Sequence, residues 1–107
     1  MTEVEIKKLL MTVGLCAKAG RLICGTDQIC DAMRKGNKAP VLVLEASDTS
    51  ANTHKRLTDR CTFYSVRHIQ IEADAVMLGE AVGKYSAIAS VGITDEGFRT
   101  AIEKKLT

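Results

Sequence analysis

The sequence has no tryptophan and only two tyrosines and two phenylalanines. That is too few to lay out a platform on which several bases stack, which excludes nucleic-acid recognition of the kind used by RRM and OB folds. No run approaches the roughly 18 to 20 apolar residues that cross a bilayer. The N-terminus opens with Thr2, Glu3 and Glu5 rather than a basic segment ahead of an apolar one, so neither a signal peptide nor an anchor is expected. Cys16, Cys24, Cys30 and Cys61 form no Cys-x-x-Cys pair, and three of them fall within apolar patterning, which points to reduced thiols and a cytoplasmic protein. The glycines make neither a G-x-G-x-x-G nor a Walker pattern, so no nucleotide phosphate loop is indicated. Repeats, linkers and low-complexity tracts are also missing.

What is present suits one globular domain spanning residues 1–107. The chain has 107 residues, 46% of them hydrophobic and 26% charged, with a formal net charge of +2. The length is enough for one core and too short for two. The charge is only mildly basic, far from the excess that by itself announces a nucleic-acid binder.

Apolar residues Ile6, Leu9, Leu10, Val13, Cys16 and Ala17 recur at intervals of three and four, which predicts a helix over Glu3 to Lys18, stopped by Gly20. Leu22-Ile23-Cys24 has strand character, and Gly25-Thr26 reads as a turn into a second helix that Gly36 closes. Val41 to Leu44 is a continuous apolar run, short enough for a strand buried on both faces. The polar stretch Ser47 to Asn52 can cap a third helix striped by Leu57, Cys61 and Tyr64, with Lys55, Arg56 and Arg60 outside. A strand over His68 to Ile71, a helix over Ala73 to Val82 and a strand over Ile88 to Ile93 follow. Thr94-Asp95-Glu96 then opens a last helix that buries Phe98, Ala101, Ile102 and Leu106. Alternation of five helices and four strands implies an α/β protein: a three-layer α/β/α sandwich around a four-stranded sheet.

For catalysis the sequence offers poor material. His54 and His68 fall on different elements, neither lies in an H-E-x-x-H context, and no cysteine pair stands near them. The reading is of ordinary surface or satisfied histidines, with no metal, no cofactor, no small-molecule substrate and no catalytic residue. The Gly25-Thr26-Asp27-Gln28 turn is different. Glycine admits a foreign backbone, and a helix N-terminus presents free N–H groups at its positive end, so a phosphate could dock there. Along that helix Asp27, Gln28, Asp31 and Lys35 share a polar face opposite Ile29 and Met33, and Lys18, Arg21, Arg34 and Lys38 add positive charge before and after it. The same residues also suit a plain capped turn with an Asp31–Lys35 ion pair on a solvated face.

In order and spacing the chain resembles the L-seven-Ae family of kink-turn-binding ribosomal proteins, which includes L-thirty-e-like folds, and in particular its small bacterial YlxQ-type branch. The resemblance rests on Leu15 to Gly20 (LCAKAG), Cys24-Gly25-Thr26, Val41 to Asp48 (VLVLEASD), Asn52 to Tyr64, Leu78 to Lys84 (LGEAVGK) and Thr94 to Phe98 (TDEGF). It implies a mixed sheet and a non-catalytic RNA-binding domain acting in translation, with the helix that begins at Gly25-Thr26 entering the major groove of a kink-turn beside sheared G·A pairs. Lys35 matches a basic position of the family. Lys84, Tyr85, Ser86, Ala87 and Ile88 match a loop that packs against the extruded nucleotide. Where the family usually has Asn, then Glu, then Lys three residues on, this chain has Asp27, Gln28 and Asp31. Asp27 can still accept from an amino or imino donor, whereas Asp31 presents an acceptor to guanine O6 and N7, which are themselves acceptors. A protein-interaction module of the same fold that has lost kink-turn binding is the alternative.

Overall fold

A computed structural model describes residues 1–106, which alternate helix and strand from end to end: α1 (Glu3–Lys18), β1 (Leu22–Cys24), α2 (Thr26–Lys35), β2 (Leu42–Glu45), α3 (Ala51–Phe63), β3 (Arg67–Gln70), α4 (Ala75–Ala81), β4 (Ser90–Ile93) and α5 (Glu96–Leu106). The strands form one mixed sheet in the order β1-β4-β2-β3, with β2 and β3 parallel and both other pairings antiparallel. Helices α1, α4 and α5 cover one face and α2 with α3 the other, completing the three layers.

Side chains of β2 alternate between the two resulting cores. Leu42 and Leu44 join Leu9, Val13, Leu78, Val91, Ile93 and Ile102 in the larger one. Val43 joins Ile29, Met33, Leu57 and Cys61 in the smaller one. The attachment of α2 to the sheet therefore rests chiefly on Ile29 and Met33, each contributing about 1.5–3 kcal/mol relative to exposure. Helix starts are locally encoded. Thr2 and Glu5 make a capping box at α1, Ser50 accepts from the Thr53 N–H at 3.2 Å, Asp74 accepts from Met77 at 2.8 Å, and Asp95 accepts from Phe98 at 2.9 Å.

Several boundaries differ from the sequence expectation. The central strand runs one residue later, Leu42–Glu45, because its register on both neighbours begins at Leu42, opposite Ile93 and Arg67, and continues through Glu45↔Ser90, while the Val41 N–H bonds the Ile93 carbonyl ahead of that register. The third strand, Arg67–Gln70, sits one residue earlier, set by its register on β2. Helix α4 begins only at Ala75, since Asp74 caps it, and β4 begins at Ser90 rather than Ile88. Tyr64 lies at the C-cap of α3, half-buried, instead of within the helix. No helix among the described residues is long and apolar enough to cross a membrane. All four cysteines are free.

Candidate nucleic-acid interface

Gly25 makes the turn between β1 and α2 with φ 98°, a conformation that L side chains rarely adopt, and a Cβ there would stand 2.6 Å from Gln28 Oε1. No side chain caps α2, so its first N–H groups and the positive end of its dipole face outward. The turn is fixed from below. The Gly25 N–H donates to the Ser90 carbonyl at 2.9 Å, and the Thr26 and Ser90 hydroxyls lie 2.7 Å apart. Ser90 is fully buried and opens β4, directly after the loop of residues 84–88. The two segments singled out in the sequence, far apart in the chain, thus meet at one end of the sheet.

The loop itself folds back over α4. The Lys84 N–H donates to the Gly79 carbonyl at 2.9 Å and the Ile88 N–H to the Ala75 carbonyl at 2.9 Å. A Cβ on Gly79 would collide with the Ser86 carbonyl, so this approach requires glycine. Lys84 stands near enough to Cys24 for its charge to bear on that thiol. Within the loop, Lys84, Tyr85, Ser86 and Ala87 are exposed, Tyr85 entirely so, whereas Ile88 is only 9% exposed and belongs to the larger core. The side chain of Ile88 is consequently committed to packing, and Tyr85 is the loop's free apolar surface.

On α2 the side chains of Asp27 and Gln28 are exposed, and Asp31 sits on a ridge with a hollow on either side. One hollow, about 300 Å³, lies toward β1 and includes Gln28, Asp31, Lys35 and Lys38 in its lining. The other, about 260 Å³, lies toward α3 and includes Asp27, Arg34, Arg56 and Arg60. Both carboxylates are engaged by cations: Arg56 bonds Asp27 at 2.6 Å, and Asp31 is held by Arg34 and by Lys35 at 3.0 Å. Hydrogen bonds from Arg34 and then Lys35 hold the Asp31 carboxyl below the usual range. Five cations, Arg34, Lys35, Lys38, Arg56 and Arg60, line the two hollows against the carboxylates of Asp27 and Asp31, and at the leading end Gly25 and Thr26 are half-buried while Asp27 and Gln28 are exposed. Arg56 and Arg60 were read from the sequence only as the outer side of α3. Their spacing of one helical turn could have placed them on a common stripe, but only the packing of α3 beside α2 brings that stripe here.

The flanking cations separate. Lys38, at φ 55°, lines the hollow beside Lys35, and Arg34 lies on the α3 side. Arg21 is exposed in the link to β1, where its carbonyl accepts from Thr94. Lys18 instead lines a larger hollow, about 600 Å³, between α1 and α4 among Leu10, Met11, Leu15 and Met77. That hollow is mostly apolar, with Lys7, Lys18 and Glu80 as its charged lining, and no helix N-terminus or glycine turn of the kind at Gly25-Thr26 is among its lining residues.

A second cluster was not foreseen. Glu45, fully buried at the end of β2, is bonded by His54 Nδ1 at 2.9 Å and His68 Nε2 at 2.7 Å. Thr49 and Gln70 also bond it. Burial alone would push the Glu45 carboxyl up, but the Thr49, His54 and His68 bonds together hold it below its ordinary value. The histidines lie on α3 and β3, and only the β2–β3 register and the seating of α3 bring them together.

Comparison with known proteins gives a consistent set of likenesses. A family model described as the ribosomal protein L7Ae/L30e/S12e/Gadd45 family matches residues 7–103. A protein named RNA-binding protein YlxQ from Bacillus subtilis (strain 168) is 37% identical over 86 residues, covering 80% of this chain and 82% of the relative. Its namesake in Enterococcus faecium is 31% identical over 98 residues, 92% of this chain and 90% of that one. Among solved structures, a protein of unknown function from Bacillus halodurans C superposes with a TM-score of 0.82 at 31% identity, covering 92% of this chain and 96% of the other. The Giardia lamblia 15.5kD RNA binding protein superposes at 0.79 over 99% of this chain and 88% of its own, and at 18% identity that likeness concerns the fold alone.

Proposed function

Because the chain belongs to the ribosomal protein L7Ae/L30e/S12e/Gadd45 family, we propose that it is a non-catalytic binder of structured RNA, and that its target is a kink-turn with sheared G·A pairs gripped by the N-terminal end of α2 and the 84–88 loop. The observation that carries this reading is the Ser90 junction, which ties the Gly25-Thr26 turn and the loop into one exposed end. At that end Gly25 leaves room for a nucleic-acid backbone. The outward N–H groups of α2 suit a phosphate, and Gln28 offers both a donor and an acceptor to a base edge. Asp27 accepts from an amino or imino group, Lys35, Arg34 and Lys38 meet phosphates, and Tyr85 supplies the apolar contact for an extruded nucleotide. Two relatives carry the name RNA-binding protein, and a protein of this kind would work in translation in the bacterial cytoplasm.

Titration of the purified chain with a kink-turn RNA, and with a version whose G·A pairs are replaced by Watson–Crick pairs, tests the proposal. A clear preference for the first RNA is expected. Equal affinity for both would discard kink-turn recognition and favour a protein-interaction module of the same fold.

A further inference from the structure

The end of β2 carries a group that the RNA reading does not use. A carboxylate at a fully buried sheet position is costly unless it is bonded on all sides, and an aliphatic residue would fill the same place without that cost. Here Glu45 Oε1 lies 2.7 Å from His68 Nε2 and 2.9 Å from His54 Nδ1, with the other oxygen 2.9 Å from the same Nδ1. One atom from each of these three side chains lies within 4.8 Å of the others. Two imidazole nitrogens and a carboxylate oxygen are the donor set that divalent transition cations take in preference to Mg²⁺ or Ca²⁺.

We propose that Glu45, His54 and His68 form a binding site for a single divalent transition cation, Zn²⁺ foremost, with a water in the remaining position. This inference stands independently of the RNA reading.

The dimensions are close to those of a loaded site. With Zn–N near 2.0–2.1 Å, ligand atoms of a tetrahedron stand about 3.3 Å apart and two coordinating imidazole rings have centres about 5.2 Å apart. The ring centres of His54 and His68 are 6.0 Å apart at an interplanar angle of 44°, so loading requires the rings to close by about 0.8 Å while their nitrogens draw back from the carboxylate by about half an ångström. His54 has the freedom to do so. Its side chain is 49% exposed and provides the way in, whereas His68 at 14% and Glu45 at 0% form the fixed floor. The outer shell is also present: Thr49 and Gln70 bond Glu45 and hold its plane.

Without a cation each imidazole donates its N–H to the carboxylate, which as an anion can only accept. Coordination requires those nitrogens to yield their protons, either to the other ring nitrogen or to solvent, and the ion then takes the place between the rings. Three protein ligands carrying one negative charge imply weaker binding than a four-ligand structural site.

The test uses the full chain, stripped with a chelator and titrated with Zn²⁺ against a chromophoric zinc indicator. One equivalent should bind. His54→Ala, an exposed change that spares the core, should weaken binding at least tenfold, while Lys55→Ala on the next position should leave it unchanged. Co²⁺ substituted for Zn²⁺ should give visible d–d absorption without a thiolate charge-transfer band. On the unaltered chain, imidazole NMR signals of both histidines should shift together on titration. Equal affinity of the wild type and His54→Ala, absence of saturable binding at micromolar metal, a thiolate band, or unmoved histidine signals would each overturn the proposal.

Discussion

Replacing Asp31 with alanine alters the electrostatics of the α2 face without touching the core, since Asp31 stands on the ridge and its side chain bonds the neighbouring cations Arg34 and Lys35. If those cations meet phosphates, the free protein must break their contacts with Asp31 before RNA binds. Alanine removes that competitor and a like charge at once. Each phosphate contact steepens the plot of log affinity against log salt by about 0.7–0.9. One cation released to a phosphate should then raise the ratio of affinities at 50 and 200 mM salt about threefold, and two should raise it about ninefold. Filter binding or fluorescence anisotropy at four or five salt concentrations measures the slope directly. Asp31→Ala should bind more tightly at low salt and converge with the parent at high salt, whereas Lys35→Ala should bind more weakly with a slope flatter by about one. Asp31→Lys should exceed Asp31→Ala if the position also meets guanine O6 and N7. Parallel plots for the parent and Asp31→Ala would refute the reasoning, because they would mean that Arg34 and Lys35 face solvent in the complex.

Gly79→Ala places a methyl against the Ser86 carbonyl and should cost about 1–3 kcal/mol in urea denaturation, with RNA affinity falling as the loop is displaced; wild-type stability would show that the loop yields freely. Thr26→Val leaves the buried Ser90 hydroxyl without its partner and should cost about 1–3 kcal/mol, while Thr26→Val with Ser90→Ala should recover part of that loss; additive costs would mean that the two hydroxyls do not act as a pair. Burial pushes the Cys61 thiol up to about 11. Because the folded value lies above the unfolded one, its contribution is complete below about pH 9 and is lost as the pH rises through about 11. The urea midpoint should therefore fall over that window, and Cys61→Ala should make the fall shallower; an unchanged alkaline slope would contradict it.

Most of the fold was legible because its signals are local. The period of apolar residues in α1, the run at Val41 to Leu44, the glycine stops, and the caps at Asp95 and in the Ser47 to Asn52 stretch each act within a few residues. The errors are of one kind. Val41, Ile88 and the segment around Ala73 have the apolar character of strand or helix, but the ladder on β4 and the cap at Asp74 decide where the elements begin. Ile88 was expected on the loop's working surface and lies in the core instead, since apolarity alone does not say which neighbour an exposed-looking residue will find.

The candidate interface was legible as two segments and illegible as one surface. Gly25-Thr26 carries a local signature and the 84–88 loop was singled out by the family resemblance, yet their meeting depends on Ser90, a residue that nothing in its own neighbourhood marks. Arg56 and Arg60 likewise become part of the α2 face only when α3 is laid beside it. The Glu45 cluster shows the same limit more sharply. Metal-ligand spacing read along a chain finds ligands on one helix or one turn, whereas here each donor comes from a different element and the spacing is set by strand register: Val43 opposite His68 and Glu45 opposite Gln70 put the carboxylate one pleat from the imidazole. A glutamate continuing the buried side of a central strand was the available clue. The sequence pattern Val43 inward, Glu45 inward is unusual enough on a sheet face that it invites a search for partners on the strand and helix packed against it.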